Sequence, residues 1–211
     1  MTDFWKNSPP KLKFCGLSRP CDIDYANALA PDFVGFVFAK NSRRYIRPEQ
    51  AVTLRRALDT NIRSVGVFVN EPLESLANIL SRHMLDFIQL HGQEDAHYIA
   101  ALRTLTELPL IQAIRMDGRA DLARALASPA DLVLLDSGAG GTGESFDWSL
   151  IEAIDRPYIL AGGLTPENVA AAVQRCRPYA VDVSSGIESG GFKDLEKMQR
   201  FAAAARGAVN T

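Results

Sequence analysis

The sequence has 211 residues, 47% of them hydrophobic, so it can bury the core of a single-domain enzyme. Its formal net charge is −2 and its Lys and Arg residues form only short pairs, which argues against a nucleic-acid partner and against an anionic membrane surface. The apolar runs are too short to span a membrane and residues 1–10 lack a signal-peptide core, which predicts a cytoplasmic protein. The three cysteines lack CxxC spacing, which argues against a disulfide framework and against a zinc site.

Residues 1–10 are predicted to form an irregular leader. In residues 11–211, β-rich runs alternate with amphipathic stretches, which predicts one catalytic domain. The eight predicted strands are 12–17, 33–39, 64–70, 86–91, 108–116, 130–137, 157–163 and 180–186. Predicted helices include 48–58, 72–83, 95–105, 165–175 and 195–205. Eight strand and helix repeats predict an α/β protein of the (β/α)₈ (TIM) barrel type, because an open doubly wound sheet usually has about five or six strands.

Three prolines mark expected helix starts. Thr165 can cap a helix whose first residue is Pro166, and Pro48 and Pro72 are placed similarly at the start of predicted helices. Proline is favoured at the first helical position because its missing N–H has no partner there in any case. The pattern therefore predicts helices that begin at these three residues.

Polar residues end several of the predicted strands, where the active site of a barrel enzyme lies. Because side chains alternate between the two faces of a strand, Lys13 shares a face with Cys15, and Gln89 shares one with His91. Asp136 ends the sixth strand, and Asp182 lies on the eighth. If these faces point into the barrel, a thiol, an amide, an imidazole and carboxyl groups meet at one mouth, which is a catalytic set without a metal site.

Each of these residues also has a structural interpretation. Cys15 could be a small buried hydrophobic residue, Asp136 could cap the following loop, and His91 could be a hydrogen-bonded strand-end histidine. Lys13 and Asp182 could form a buried ion pair between the first and eighth strands, or Asp182 could contact a substrate. The residues themselves leave both roles of Asp182 open.

Glycine-bearing segments follow the last three strands and predict an anion site. They are residues 137–143, 161–163 and 184–186. Glycine lets backbone N–H groups approach phosphate oxygens closely, and the loops after the seventh and eighth strands are the usual phosphate position in this fold. The expected substrate is a phosphorylated small molecule.

Taken together, these segments resemble the phosphoribosylanthranilate isomerases over nearly the whole chain after Pro10. The similar motifs, in order, are 13–17 (KFCGL), 65–70 (VGVFVN), 89–92 (QLHG), 134–137 (LLDS), 140–143 with 146–148 (GGTG and FDW), 161–169 (AGGLTPENV) and 181–188 (VDVSSGIE). The order and spacing of the whole set make the resemblance specific.

The resemblance implies an Amadori rearrangement of N-(5-phosphoribosyl)anthranilate to 1-(2-carboxyphenylamino)-1-deoxy-D-ribulose 5-phosphate, a step of tryptophan biosynthesis that uses no cofactor and no metal. The implied site consists of Cys15 as general base, Asp136 as general acid, Arg44 on the anthranilate carboxylate, further substrate contacts from Gln89, His91 and Asp182, and a phosphate site of Gly162, Gly163, Ser185 and Gly186. For these roles at neutral pH, burial would have to raise the pKa of Asp136, and helix dipoles with nearby cations would have to lower the pKa of Cys15.

Two other functions remain open at this point. Another phosphate-binding barrel enzyme is one alternative. A ribulose-phosphate epimerase is disfavoured because the three histidines do not supply its metal ligands. An indole-forming lyase is disfavoured because such a subunit is normally longer and uses a different acid pair. A non-catalytic binding protein could keep the same fold, since fold does not fix function. We expect a monomer rather than a homodimer, but no sequence feature bears on the oligomeric state.

Overall fold

A computed structural model describes residues 8–136, 151 and 154–208 of the chain. Eight parallel strands form a closed barrel in the order β1 to β8, and β8 pairs with β1. The strands are β1 (Lys11–Cys15), β2 (Phe33–Val37), β3 (Arg63–Phe68), β4 (Phe87–Leu90), β5 (Leu110–Arg115), β6 (Leu132–Asp136), β7 (Tyr158–Ala161) and β8 (Ala180–Val183). The described helices are α1 (Pro20–Leu29), α2 (Pro48–Ala57), α3 (Leu73–Leu80), α4 (Ala96–Arg103), α5 (Arg119–Ala127), α6 (Val169–Cys176) and α7 (Leu195–Gly207). The expected (β/α)₈ barrel is confirmed.

The alternation of side chains along each strand separates two layers of the core. One set of residues points into the barrel, including Val65, Ile111, Leu134 and Ile159. The other set, including Phe14 and Phe36, packs in a larger cluster with helix residues such as Phe201. Because both faces of a barrel strand are buried, the strands are almost continuously apolar, and the polar residues within them are conspicuous.

The boundaries of several elements differ from those expected. The strands end up to three residues earlier, because the loop after each strand has left the ladder by then. Pro48 is the first residue of α2 as expected, but Pro72 precedes α3, and α6 begins at Val169 rather than at Pro166. The Asn168 side chain accepts a hydrogen bond from Thr165 N–H and donates to Gly163 O, so residues 165–168 form a turn that delays the helix.

In the segment between β8 and α7, the strand that was expected to continue to residue 186 ends at Val183. A 3₁₀ helix (Ser185–Ile187) leads into a two-stranded hairpin of β9 (Glu188–Ser189) and β10 (Phe192–Lys193). Glu188 and Lys193 are register partners in this hairpin and both are buried. The hairpin therefore brings a carboxylate and an ammonium group to the mouth of the barrel.

The described part of the chain contains no helix that is long and apolar enough to cross a membrane. Of the expected leader, only Ser8, Pro9 and Pro10 belong to the described residues, and they precede β1 without regular structure.

Candidate active site

A cavity of about 280 Å³ lies at the carboxyl ends of the strands. Eight of the ten expected site residues line it: Cys15, Arg44, His91, Asp136, Gly162, Gly163, Asp182 and Ser185. Gln89 and Gly186 do not line it, and each instead supports a residue that does. The strand ends thus bring together a thiol, a carboxyl group, an imidazole and a guanidinium group in one concave site.

Cys15 ends β1 and is 8% exposed. It has room because Gly35 lies beside it on β2, where a Cβ atom would be 2.7 Å from the Cys15 sulfur. The Ser184 hydroxyl donates to Cys15 O at 2.9 Å and so ties the end of β1 to the end of β8.

The ionisation of Cys15 differs from the expectation. Burial raises the pKa of the Cys15 thiol, although Lys13 and Lys193 both act to lower it. The expected cations are therefore present, but desolvation outweighs them, because the thiolate would lie almost out of contact with water. The raised pKa favours the thiol form of Cys15.

Lys13 and Asp182 form an ion pair inside the barrel, with Lys13 Nζ 2.9 Å from Asp182 Oδ1. The Lys13 side chain is fully buried, and that of Asp182 is 8% exposed and faces the cavity. Burial by itself would lower the pKa of Lys13, but Asp182 and the Cys15 sulfur outweigh it and raise that pKa. The structural role considered for Asp182 is thus present, and its position on the cavity wall leaves a substrate contact available.

Asp136 ends β6 next to His91, which follows β4. His91 Nε2 lies 3.3 Å from Asp136 Oδ2, and Gln89 Nε2 lies 2.7 Å from His91 Nδ1. Gln89 is fully buried behind the imidazole. The three side chains form a hydrogen-bonded row that runs from the barrel interior to the cavity.

Arg44 is held by Glu188, a residue for which no separate role was predicted. Glu188 accepts hydrogen bonds from Arg44 Nε at 2.6 Å and Nη2 at 3.0 Å, and also from Lys193 Nζ at 2.8 Å. The neighbouring Arg43 is exposed but also donates to Glu188 at 2.7 Å. Glu188 ends the 181–188 motif, but no periodic pattern marks it as a site residue, because the hairpin alone brings it to Arg44.

The ionisation of this cluster follows from its packing. Burial opposes the charge on Glu188, but the hydrogen bonds from Arg44 and Lys193 outweigh it and lower the pKa of Glu188. Burial also lowers the pKa of Lys193, despite its hydrogen bond to Glu188. A guanidinium has five N–H donors, so Arg44 keeps donors for a second carboxylate while Glu188 occupies Nε and Nη2.

The loops after β7 and β8 form a glycine-lined wall of the cavity. Gly162 and Gly163 line it directly, together with Ser185. Gly186 lies against the β7 loop, where a Cβ atom would be only 1.9 Å from Leu164 O. Only glycine permits this approach of the two loops. The expected glycine-rich segment 137–143 lies outside the described residues.

The remaining cysteines and histidines do not line this cavity. Cys21 lies on α1 and Cys176 on α6, while His83 follows α3 and His97 lies on α4.

The comparisons with known proteins give one consistent result. A family model described as N-(5′-phosphoribosyl)anthranilate (PRA) isomerase matches residues 12–204. The N-(5′-phosphoribosyl)anthranilate isomerase of Caldanaerobacter subterraneus subsp. tengcongensis is 45% identical over 205 residues, which cover 94% of this chain and 99% of the relative.

Two solved structures are also similar to the chain. One is a phosphoribosyl anthranilate isomerase in complex with reduced 1-(o-carboxyphenylamino)-1-deoxyribulose 5-phosphate, with a TM-score of 0.84, 37% identity, and coverage of 94% of this chain and 99% of that one. The other is a mutually generated monomer of the dimeric enzyme from Thermotoga maritima, with a TM-score of 0.84, 36% identity and the same coverage.

Proposed function

Since the chain belongs to the N-(5′-phosphoribosyl)anthranilate isomerase family, it is an isomerase of tryptophan biosynthesis, and we propose that Cys15 is its general base and Asp136 its general acid. The observation that carries the proposal is that these two side chains line one cavity at the mouth of the barrel. The substrate is a phosphorylated small molecule, N-(5-phosphoribosyl)anthranilate, and the reaction is its Amadori rearrangement.

The reaction requires an acid and a base but no redox partner. Asp136 gives a proton to the ring oxygen of the ribose as the C1–O bond breaks, and the anilino nitrogen supplies the electron pair that forms the C1 imine. Cys15 then takes the proton from C2, and the C2–H electrons form the enamine, which tautomerises to the ketone. Both roles are proton transfers at positioned side chains, which contribute about 10²- to 10⁴-fold to a rate.

Arg44 is the proposed contact for the anthranilate carboxylate. Its Nε and Nη2 are already bound to Glu188, so the guanidinium is held in a fixed orientation at the cavity wall. The remaining N–H donors suit a planar carboxylate, which a guanidinium binds with two hydrogen bonds. Asp182 and His91 line the same cavity and are proposed as further substrate contacts. Gln89 is proposed to act on the substrate only through its contact with His91.

The phosphate group is proposed to bind to Gly162, Gly163, Ser185 and Gly186. These residues belong to the loops after β7 and β8, where backbone N–H groups can surround phosphate oxygens. Gly162, Gly163 and Ser185 line the cavity that also contains Cys15 and Asp136. A substrate held there by its phosphate would have its ribose between the proposed acid and base.

Steady-state turnover of freshly generated phosphoribosylanthranilate tests the proposal, because the substrate's fluorescence is lost on conversion. We expect rapid turnover by the wild type and losses of at least about 100-fold for Cys15→Ser and Asp136→Asn. Cys176→Ser and Asp24→Asn are matched controls on helices, and both should retain wild-type rates. A folded Cys15→Ser or Asp136→Asn protein with near-wild-type turnover would show that the roles are assigned to the wrong residues.

We further propose a cytoplasmic monomer. The large exposed hydrophobic residues of the described part, Val69, Leu105, Leu126 and Phe192, belong to four different segments, as is common on the surface of monomeric proteins. Light scattering during gel filtration gives the mass directly, and a dimer mass would refute the second half of this proposal.

A further inference from the structure

Gln89 has a buried amide with one unused acceptor. Its side chain lies at the end of β4 and is fully buried. Gln89 Nε2 is 2.7 Å from His91 Nδ1, whereas Gln89 Oε1 has no hydrogen-bond partner. Within residues 8–136, 151 and 154–208, no other buried side-chain nitrogen or oxygen lacks a partner. A buried polar atom without a partner destabilises the fold, so an amide at this position points to a role other than stability.

The amide determines the proton position on His91. Because Gln89 Nε2–H donates to Nδ1, the neutral imidazole carries its proton on Nε2 and donates it to Asp136 Oδ2 at 3.3 Å. The reversed amide would accept from a protonated Nδ1, but it would leave both buried Nε2–H donors unpaired, instead of Oε1 and one N–H. A buried N–H without a partner is rarer than a buried carbonyl oxygen without one, which favours the donating orientation.

We propose that Gln89 is a positioning residue that keeps His91 neutral, so that the proton available to the pair resides on Asp136, where the reaction needs it. This proposal rests on the general-acid role of Asp136 proposed above. A second proton on the imidazole must go to Nδ1, where it either meets the Gln89 N–H donor or forces the amide to reverse and leave both buried N–H groups unpaired. The same proton on the Asp136 carboxyl group keeps the hydrogen bonds between all three side chains.

The charged groups that the structure describes around the pair do not make this selection by themselves. The described ionisable residues that share a cavity wall with His91 or Asp136 are Cys15, Arg44 and Asp182 on one side, and Arg115 and Arg124 on the other. The arginines disfavour an imidazolium, but they equally favour the ionised form of Asp136 and so oppose a neutral acid. Asp182 has the opposite effect on each group. Gln89 acts on the imidazole alone, because it contacts Nδ1 and not the carboxylate.

Removal of the amide should move the proton without changing the number of protons bound. In Gln89→Met, Nδ1 loses its donor partner, and the pair can exist as an imidazolium with a carboxylate instead of an imidazole with a carboxylic acid. These two forms bind the same number of protons. The loss of kcat should therefore be the same at every pH at which the pair holds its proton, and it should not depend on substrate binding.

Long-range ¹⁵N–¹H NMR of the histidine side chains tests the proposal without any activity measurement, with His83 and His97 as internal references. We expect wild-type His91 to be neutral with its proton on Nε2, and the imidazolium fraction at pH 7 to increase in the order wild type, Gln89→Met, Gln89→Glu. In the same variants, kcat should fall by up to about 10-fold, and KM should stay within about twofold of wild type. Gln112→Met is the matched control, because Gln112 lies on the neighbouring β5 and bonds to Glu94 O and the Ser128 hydroxyl.

The outcomes are distinguishable. An imidazolium increase in both Gln89 variants, a pH-independent loss of kcat and an unchanged Gln112→Met protein would support the proposal. A neutral His91 with its proton on Nε2 in both Gln89 variants would overturn it, whatever the activity. If the NMR result is as expected but wild-type protein does not turn over phosphoribosylanthranilate, the proposed function fails and the tautomer assignment stands. Should Gln89→Met not fold, Gln89→Leu takes its place, because it also removes the amide without adding a charge beside Nδ1.

Discussion

Lys13 and Asp182 are register partners on β1 and β8, the two strands that close the barrel, and their side chains form a 2.9 Å ion pair in its interior. The pair joins the first and last strands through side chains as well as through the backbone ladder. It also lies beside Cys15, whose sulfur contributes to the raised pKa of Lys13. One ion pair thus serves both barrel closure and the electrostatics of the site.

Lys13→Met should destabilise the protein by about 3 kcal/mol, because it leaves the Asp182 carboxylate buried without a partner. Lys11→Met is the matched control on the same strand, since the Lys11–Asp32 ion pair is substantially exposed and a surface pair contributes at most about 1 kcal/mol. Urea unfolding at pH 7 measures both free energies of unfolding. Equal effects of the two substitutions would contradict the buried role of Lys13.

Cys15 should ionise only at alkaline pH in the free protein, because burial raises its thiol pKa above the ordinary value of 9.0. The pH dependence of iodoacetamide alkylation, measured with Cys21 and Cys176 replaced by Ser, gives the midpoint directly. The thiolate is the base, so kcat/KM should increase as the pH rises through the same midpoint. Lys13→Met should move the midpoint higher still, because it removes a cation that favours the thiolate. A midpoint below 9.0 in the wild type would mean that the flanking lysines outweigh desolvation.

Glu188→Gln should make the free energy of unfolding less sensitive to a fall in pH. The folded-state pKa of Glu188 lies below its ordinary value of 4.5, so its ionised form stabilises the fold above that value, and the stabilisation is lost as the pH falls through the lower folded pKa. Unfolding measured from pH 6 to pH 3 should therefore show a smaller decrease for Glu188→Gln than for the wild type. Glu167→Gln is the control, because Glu167 also has a lowered pKa but is exposed beside Arg200. The idea fails if the two variants follow the same pH dependence.

Gly35→Ala should reduce kcat by about 10-fold or more, because its Cβ atom would approach the Cys15 sulfur to 2.7 Å and displace the thiol. Overpacking should also cost about 1–3 kcal/mol of stability. Gly118→Ala is the matched control, since nothing lies within 4 Å of a Cβ atom there. Turnover and thermal unfolding of both variants check the prediction, and unchanged turnover of a folded Gly35→Ala protein would mean that Cys15 does not need its present position.

The barrel could be predicted from the sequence because its strands are buried on both faces. Apolar runs at regular intervals predicted eight strands, and polar residues that interrupt them, such as Cys15 and Asp136, marked the carboxyl ends. Boundaries were less accurate, as at Pro166, because Asn168 forms a local turn that competes with the helix. The Lys13–Asp182 pair could be considered from the sequence, since adjacent first and last strands are a property of any closed barrel.

Other features depended on contacts between segments that are distant in the chain. Glu188 meets Arg44 across 144 positions, and only the hairpin after β8 brings them together. Gln89 was expected at the substrate, but it lies behind His91, because the side-chain period gives the face of a strand and not the depth along it.

The sequence by itself determined the fold, the family resemblance and the residue types available for proton transfer, since these follow from periodic burial and from motifs read in order. Only the tertiary structure decided which group each polar side chain contacts and how burial changes its ionisation. The direction of the Cys15 pKa is the clearest case: the sequence supplied the nearby lysines, but the depth of the sulfur in the barrel made desolvation the larger effect.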